Sequence, residues 1–323
     1  MITRCENKQH WDDYVNDLGG HPLQLLGWGN LKAAHNWSAS QLLYSIDGKV
    51  KGGAQVLVRT LPWPFKRLTY IPRGPFGALG ESAEAMAELS AYIKKNIGGV
   101  LISAEPDMTT VGWGNKWKKS INTILIPRTL ILDLSKTEEE LLRAMTKKTR
   151  QYIRKSERDG VSIKRITDRE ALKEVMAIYR DTAKRANFAL HGDDYYYDLV
   201  DMLGENNLIY GAYHQGRLIS FVWLAISSAT AFELYGGMNE QGQQLRANYA
   251  LKWHAITKCK EWGIARYDMN GLLNDGVSTF KEGFAGHEDM LAGTYDYPLS
   301  PLYVVWSKFL PLGKKLVRKF KKS

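Results

Sequence analysis

Two halves of this 323-residue chain run through one order of elements, and that doubling limits the fold more than any other feature. In the first half, residues 24–37, "QLLGWGNLKAAHNW", have helical character. "SASQLLYSI" and "VKGGAQVLVRT" then flank the turn "DGK", a hairpin signal. A third apolar run, "RLTYIP", precedes the helical stretch "ESAEAMAELSAYIKKNIGG", which Gly98 and Gly99 terminate. "VLISAEP" and "NTILIPRTLILDL" read as further strands. A long helix is expected over 136–159, opened by Ser135 and Glu138 as a capping box.

The second half repeats the order. "TDRE" opens a helix with Leu172, Val175, Met176 and Tyr179 on one side, and a helix near 193–204 follows. "NLIYGAYH" and "RLISFVWLAIS" flank the turn "QG", and "ATAFELYGG" supplies a third strand. The helix "ANYALKWHAITKCKEWG" stops at Gly263. After it come the strand "IARYDMNG", the loop "STFKEGFAG" and a last strand near 289–297. Helix, hairpin, strand, helix, strand is the order of an acetyltransferase (GNAT-type) unit. The expected fold is therefore α/β (α+β), with two acetyltransferase-like domains whose mixed sheets are flanked by helices. The expected domains are 1–145 and 146–323, the second ending in a basic tail. No heptad run is long enough for a coiled-coil arm.

Composition narrows the chemistry. The two cysteines, Cys5 and Cys259, lie far apart, and the seven histidines show no paired spacing, so neither a disulfide framework nor a metal is expected. The N-terminus "MITRCENKQHWDDYV" lacks an apolar signal segment, and no run of about twenty apolar residues occurs. A cytoplasmic protein is expected. The net charge of +10 favours an anionic partner. The excess concentrates at 147–158, "KKTRQYIRKSER", and in the last ten residues, "KKLVRKFKKS".

The acetyltransferase fold usually holds coenzyme A through a Gln/Arg-x-x-Gly-x-Gly/Ala signature. "RGPFGALGES" and "GGMNEQGQQLRAN" are glycine-rich but wrongly spaced, and no G-x-S-x-G elbow is present. Five segments, in order and spanning nearly the whole chain, resemble the Fem family of peptidoglycan bridge-forming aminoacyltransferases. They are "GWGNLKAAHNW", "MTKKTRQYIRKSERDGV", "DTAKRANF", "ELYGGMNEQGQQLRANYALKW" and "YDMNGLLNDGVSTFKEGFAG". The resemblance implies a pair of acetyltransferase-like domains. It implies transfer of an amino acid from aminoacyl-tRNA, as co-substrate and without a cofactor, to an amine on the stem peptide of a peptidoglycan precursor. The acceptor would be the UDP-linked muropeptide or its lipid-linked form. The rivals are an acyl-CoA-dependent N-acyltransferase and a non-catalytic RNA- or membrane-binding protein.

The resemblance also assigns residues. Lys281, with Phe280, matches the catalytic loop, where a cation would stabilise the oxyanion or leaving group; the alternatives are a solvated loop lysine and a Phe280 that stacks on a base or only packs. Arg185 matches an arginine on the precursor's phosphates, suited to bidentate contact, and its bland alternative is a helix C-terminal charge. Lys32 matches a lysine on the same ligand and reads equally well as a solvated helix face. Tyr235, Asn248 and Tyr249 fall where the family lines its acceptor pocket, although a tyrosine near a strand end is more often core. The tyrosines at 195–197 are further candidates to face the cleft, with no preference among the three. Glu105 and Asp107, in "SAEPD", read as acceptors of the attacking amine's proton, as groups that hold the precursor, or as loop caps. The basic face at 147–158 is a candidate for tRNA phosphates. The C-terminal tail reads as a peripheral contact with the inner membrane surface, with RNA contact or a disordered tail as alternatives.

Overall fold

The computed structural model describes residues 1–273 and 276–308. The chain divides into two compact units: residues 1–127 with the segment from 290 onward, and residues 128–289. The first contains β1 (Ile2–Arg4), α1 (Trp11–Asp17), α2 (Leu26–Ala34), β2 (Ser38–Ile46), β3 (Lys49–Thr60), β4 (Arg67–Ile71), β5 (Phe76–Gly77), α3 (Ala83–Asn96), β6 (Leu101–Ala104) and β7 (Lys118–Lys119). The second begins with β8 (Arg128–Thr129), β9 (Ile131–Asp133), α4 (Glu138–Ala144), α5 (Lys147–Arg158), β10 (Ser162–Arg165), α6 (Arg169–Ala186) and α7 (Asp193–Leu203). It continues with β11 (Asn207–His214), β12 (Arg217–Ile226), β13 (Thr230–Met238), α8 (Glu240–Gln244), α9 (Ala247–Glu261), β14 (Arg266–Asp268) and α10 (Gly276–Glu282). β15 (Asp289–Met290) pairs with β8, and β16 (Tyr295–Pro298) belongs to the first sheet.

The sheets share a plan. Strand order is β1-β2-β3-β4-β6-β16-β7 in the first and β10-β11-β12-β13-β14-β9 in the second. In each, antiparallel neighbours lead to one parallel pair, β4 with β6 and β13 with β14. The two long hairpins turn on residues with positive φ, Asp47-Gly48 and Gln215-Gly216. That is the geometry whose twist suits a two-residue loop, and it explains why "DG" and "QG" are legible turns. Leu42, Val56, Ile71, Leu89 and Ile102 are among the side chains packed between the first sheet and α3. Leu132, Ile153, Leu208, Leu224, Leu251 and Tyr267 belong to the core of the second unit.

The domain division differs from the expected 1–145 and 146–323. β9 follows β6 in sequence but lies antiparallel to β14, so 128–145 belongs to the second unit. β16 follows β14 in sequence but lies antiparallel to β6. Each sheet thus receives its strand beyond the parallel pair from the other half's run of sequence.

The long helix expected over 136–159 is two helices. Met145 and Thr146 both take extended backbone, with ψ of 152° and 151°. Thr146 caps α5 by accepting from the Thr149 amide, and Arg150 Nη1 donates to the carbonyls of Leu142 and Met145 at the end of α4. The break leaves few orphan groups, so it costs little. The capping box is Thr137 with Glu140 rather than Ser135 with Glu138. Ser135 instead donates to Asp133.

Candidate functional site

The parallel pair of the second sheet parts at its C-terminal ends. Its ladder runs from Thr230–Arg266 to Phe232–Asp268 and stops there. A register shift opposite Trp223 and Leu224 places a bulge at Leu234, and Glu233, Leu234 and Tyr235 all face one cavity. The cavity measures about 450 Å³ and lies within this unit, among β12, β13, α6, α9, α10 and the end of β14. Close approach requires glycine at 237 in its wall, since a Cβ there would press on the Phe221 ring and Thr182 Oγ1 of α6, both 2.8 Å away.

Lys281 lies in the last turn of α10, in a stretch expected to be a loop. Its ammonium donates to the carbonyls of Asn270, at 2.7 Å, and Gly271, at 3.1 Å. Asn270 holds that strand end in place. It adopts left-handed backbone, φ 55°, its amide donates to Asp268 and its side chain donates to the Glu233 carbonyl. Gly283, two residues after Lys281, is required by close approach, because a Cβ there would collide with Thr149 Oγ1. The Thr146 amide donates to the Gly283 carbonyl, so the α4–α5 corner fixes the end of α10.

Five of the seven residues expected at the site line this cavity: Arg185, Tyr235, Asn248, Phe280 and Lys281. Arg185 stands in the last turn of α6, and its guanidinium donates to the Met238 carbonyl. It therefore ties the end of α6 to the end of β13 beside the cavity. Tyr235 packs edge-on against Tyr196 and Trp223, and its hydroxyl shares a hydrogen bond with Tyr195. Burial, followed by the neighbouring tyrosines, raises its pKa well above the ordinary phenol value. Of the 195–197 tyrosines, Tyr195 and Tyr196 are buried in this cluster, and Tyr197 lies under Arg169.

Tyr249 departs from expectation. It packs behind the cavity, edge-on to Phe280 at 4.8 Å and to Tyr152 at 5.0 Å, and orients Phe280 rather than lining the pocket. Lys32 belongs to the first unit. Its ammonium lies 4.4 Å from the centre of the Trp28 ring, and burial lowers its pKa to about 8. It is not the solvated helix charge of its bland reading. Glu105 is fully buried and caps loops: it accepts from the amides of Ile124 and Leu125 and from the Tyr70 and Thr294 hydroxyls. The membrane-contact expectation for the terminal "FLPLGKKLVRKFKKS", residues 309–323, lies outside the described residues.

One buried group escaped sequence reasoning. Lys252 of α9 pairs with Glu233 of β13, both line the cavity, and the Tyr267 hydroxyl donates to the same carboxylate oxygen. The ammonium lies 5.2 Å from the centre of the Phe280 ring. The signal was present, because Lys252 stands three, four and seven residues before Ala255, Ile256 and Cys259 on the buried stripe of α9. Among the described residues, the cavity thus presents three cations, Arg185, Lys252 and Lys281, against one carboxylate, amid mostly apolar walls. Among the described residues, no three His, Cys, Asp or Glu side chains gather to hold a metal ion.

A model of the FemAB family matches residues 107–217 and 218–310. A protein of Staphylococcus aureus (strain MRSA252) named lipid II:glycine glycyltransferase is 23% identical, over 98% of each chain. The crystal structure of FemX superposes with a TM-score of 0.83 at 20% identity, covering 95% of this chain and all of that one. A tandem GNAT protein from the clavulanic acid biosynthesis pathway superposes at 0.51 with 11% identity, covering 93% of this chain and 99% of that one. These structural likenesses bear on the fold, and they agree with the paired acetyltransferase-like sheets.

Proposed function

The chain belongs to the FemAB family, and from that premise we propose that it is an aminoacyltransferase acting on a peptidoglycan precursor, with aminoacyl-tRNA as donor and no cofactor. The observation that carries this reading is the gathering of Lys281, Phe280, Arg185, Tyr235 and Asn248 around one cavity at the parted strand ends. The relative named lipid II:glycine glycyltransferase points to the same class of acceptor.

The reaction asks little of the protein beyond position and charge. The donor is an activated ester, so no covalent enzyme intermediate is needed. The acceptor amine attacks the ester carbonyl, the new C–N bond forms, and the C–O bond to the tRNA ribose breaks. The amine gives up a proton and the ribose hydroxyl gains one. Negative charge gathers first on the carbonyl oxygen and then on the leaving oxygen. Lys281, held by two backbone carbonyls, supplies a fixed cation to that charge. The apolar walls strengthen the interaction by excluding water. Arg185 at the rim suits the phosphates of the precursor.

Both substrates are polyanions, which the +10 charge attracts. On this reading the protein works in the cytoplasm. Among the described residues, no helix is long and apolar enough to cross a membrane.

The test is a reconstitution. The protein is incubated with a panel of charged tRNAs and with the UDP-linked and lipid-linked precursors, and the products are weighed. A mass gain of one or more amino acid residues on either precursor is expected. No gain on either, or stabilisation by coenzyme A with no effect of the precursor, contradicts the reading.

A further inference from the structure

Two segments far apart in sequence meet on the first unit and form an apolar projection ringed by cations. The β3–β4 connection, "TLPWPFKR", is a built loop, closed by the Leu61 amide donating to the Lys66 carbonyl and the Phe65 amide to the Pro62 carbonyl. At its tip Trp63 is 88% exposed, the most open tryptophan among the described residues. Phe65 packs edge-on against Trp306, 5.1 Å between ring centres, which joins the loop to the helical residues 303–308. That segment leaves Val304 and Val305 exposed. Lys118 lies beside Tyr303 and Val304 around a shallow depression.

Charge identifies the partner. Among the described residues, 59–67 and 298–308 together carry four Lys or Arg (Arg59, Lys66, Arg67 and Lys308) and no Asp or Glu. Tryptophan is favoured where hydrocarbon meets headgroup, because its ring has an apolar body and one polar edge. Apolar side chains at a projecting tip with cations around them match the face of a bilayer containing anionic lipid.

We propose that this surface docks the first unit on an anionic membrane, with Trp63 entering the headgroup–acyl boundary, Val304 and Val305 beside it, and Lys66, Arg67 and Lys308 on lipid phosphates. The inference stands on the first unit alone and does not depend on the reaction assigned to the second. A lipid-linked substrate would reach such a protein by diffusion in a plane.

The experiment sediments the full-length protein with phosphatidylcholine vesicles, with and without phosphatidylglycerol. Binding is expected only with the anionic lipid. Trp63→Ser with Val304→Ser should raise the lipid concentration for half-binding about tenfold. Each of Lys66→Gln and Lys308→Gln should raise it about fivefold. Acyl-chain-brominated phosphatidylglycerol should quench the fluorescence of the wild type, and Trp63→Phe should remove the quenched fraction while largely retaining binding. Circular dichroism should be unchanged, since these side chains are exposed, and any transfer to the soluble precursor should be unaffected. Equal binding to neutral and anionic vesicles overturns the proposal. So does Trp63→Ser with Val304→Ser binding anionic vesicles as the wild type does, which would leave the patch to a protein partner.

Discussion

The same pair of parallel strands occurs in both units, and the two pairs end differently. In the second unit, β13 and β14 part after Phe232 and Asp268, and side chains from both ends face a cavity. In the first, β4 and β6 stay joined beyond their ladder, the Glu105 amide donating to Ile71 and the Gly74 amide to Glu105. Buried side chains seal that end. Gln24 donates to the Pro72 carbonyl and accepts from the Gln55 amide, and Arg73 is 2% exposed. The fold therefore supplies an opening at a fixed place, and local side chains decide whether it exists. The first unit's pair is sealed, and the second unit's pair opens onto a cavity.

That contrast can be broken by mutation. The largest expected effect is on the buried pair beneath Phe280. Lys252→Met leaves Glu233 charged and unpaired, and should cost about 3–5 kcal/mol of stability. Adding Glu233→Gln should return much of it, measured by chemical denaturation. In the first unit, Glu105→Gln keeps the shape of the side chain but replaces one acceptor oxygen with an amide NH2, a donor facing N–H and O–H donors. A loss of about 1–3 kcal/mol is expected, with transfer by the remaining folded protein unchanged. If Glu105→Gln instead abolished turnover without lowering stability, the sealed end would be a site after all.

A smaller effect separates Lys32 from a structural lysine. Its folded pKa of about 8 lies below the ordinary lysine value, so the folded state gives up its proton first. Stability should therefore rise with pH from about 8 towards the ordinary lysine value, and this contribution should be absent in Lys32→Met. If Lys32 holds a phosphate of the precursor, affinity should fall over the same rise in pH, and Lys32→Arg should flatten the profile. Calorimetric titration between pH 7 and 9 reads this directly. The smallest effect is Thr146→Ala, which removes the α5 cap and should cost about 1 kcal/mol of stability, read as a lower thermal midpoint.

The doubled plan was legible because its signals are local: hairpin turns at Asp47-Gly48 and Gln215-Gly216, and helical stripes ended by glycine. The strand exchange was not. β9 and β16 are three and four residues long, and nothing in "ILD" or "YDYP" tells which sheet receives them. The break at Met145–Thr146 was hidden for a similar reason, since the groups that settle it, Arg150 and Gly283, act across the fold. At the site, resemblance brought five residues to one cavity but placed Tyr249 in it rather than behind Phe280. Lys252 was passed over because a lysine in a core is rare without a partner, and Glu233 lies 19 residues away in sequence.

The central claim is that the open end in the second unit is where an ester is broken, with Lys281 as its fixed cation. The measurement that tests it most directly is single-turnover transfer to the precursor by Lys281→Met at saturating donor. The account predicts a fall of about 10²–10³ in the rate of the folded protein, with precursor affinity close to the wild type. A Lys281→Met rate within about threefold of the wild type would contradict it, since losing an oxyanion partner costs far more than that.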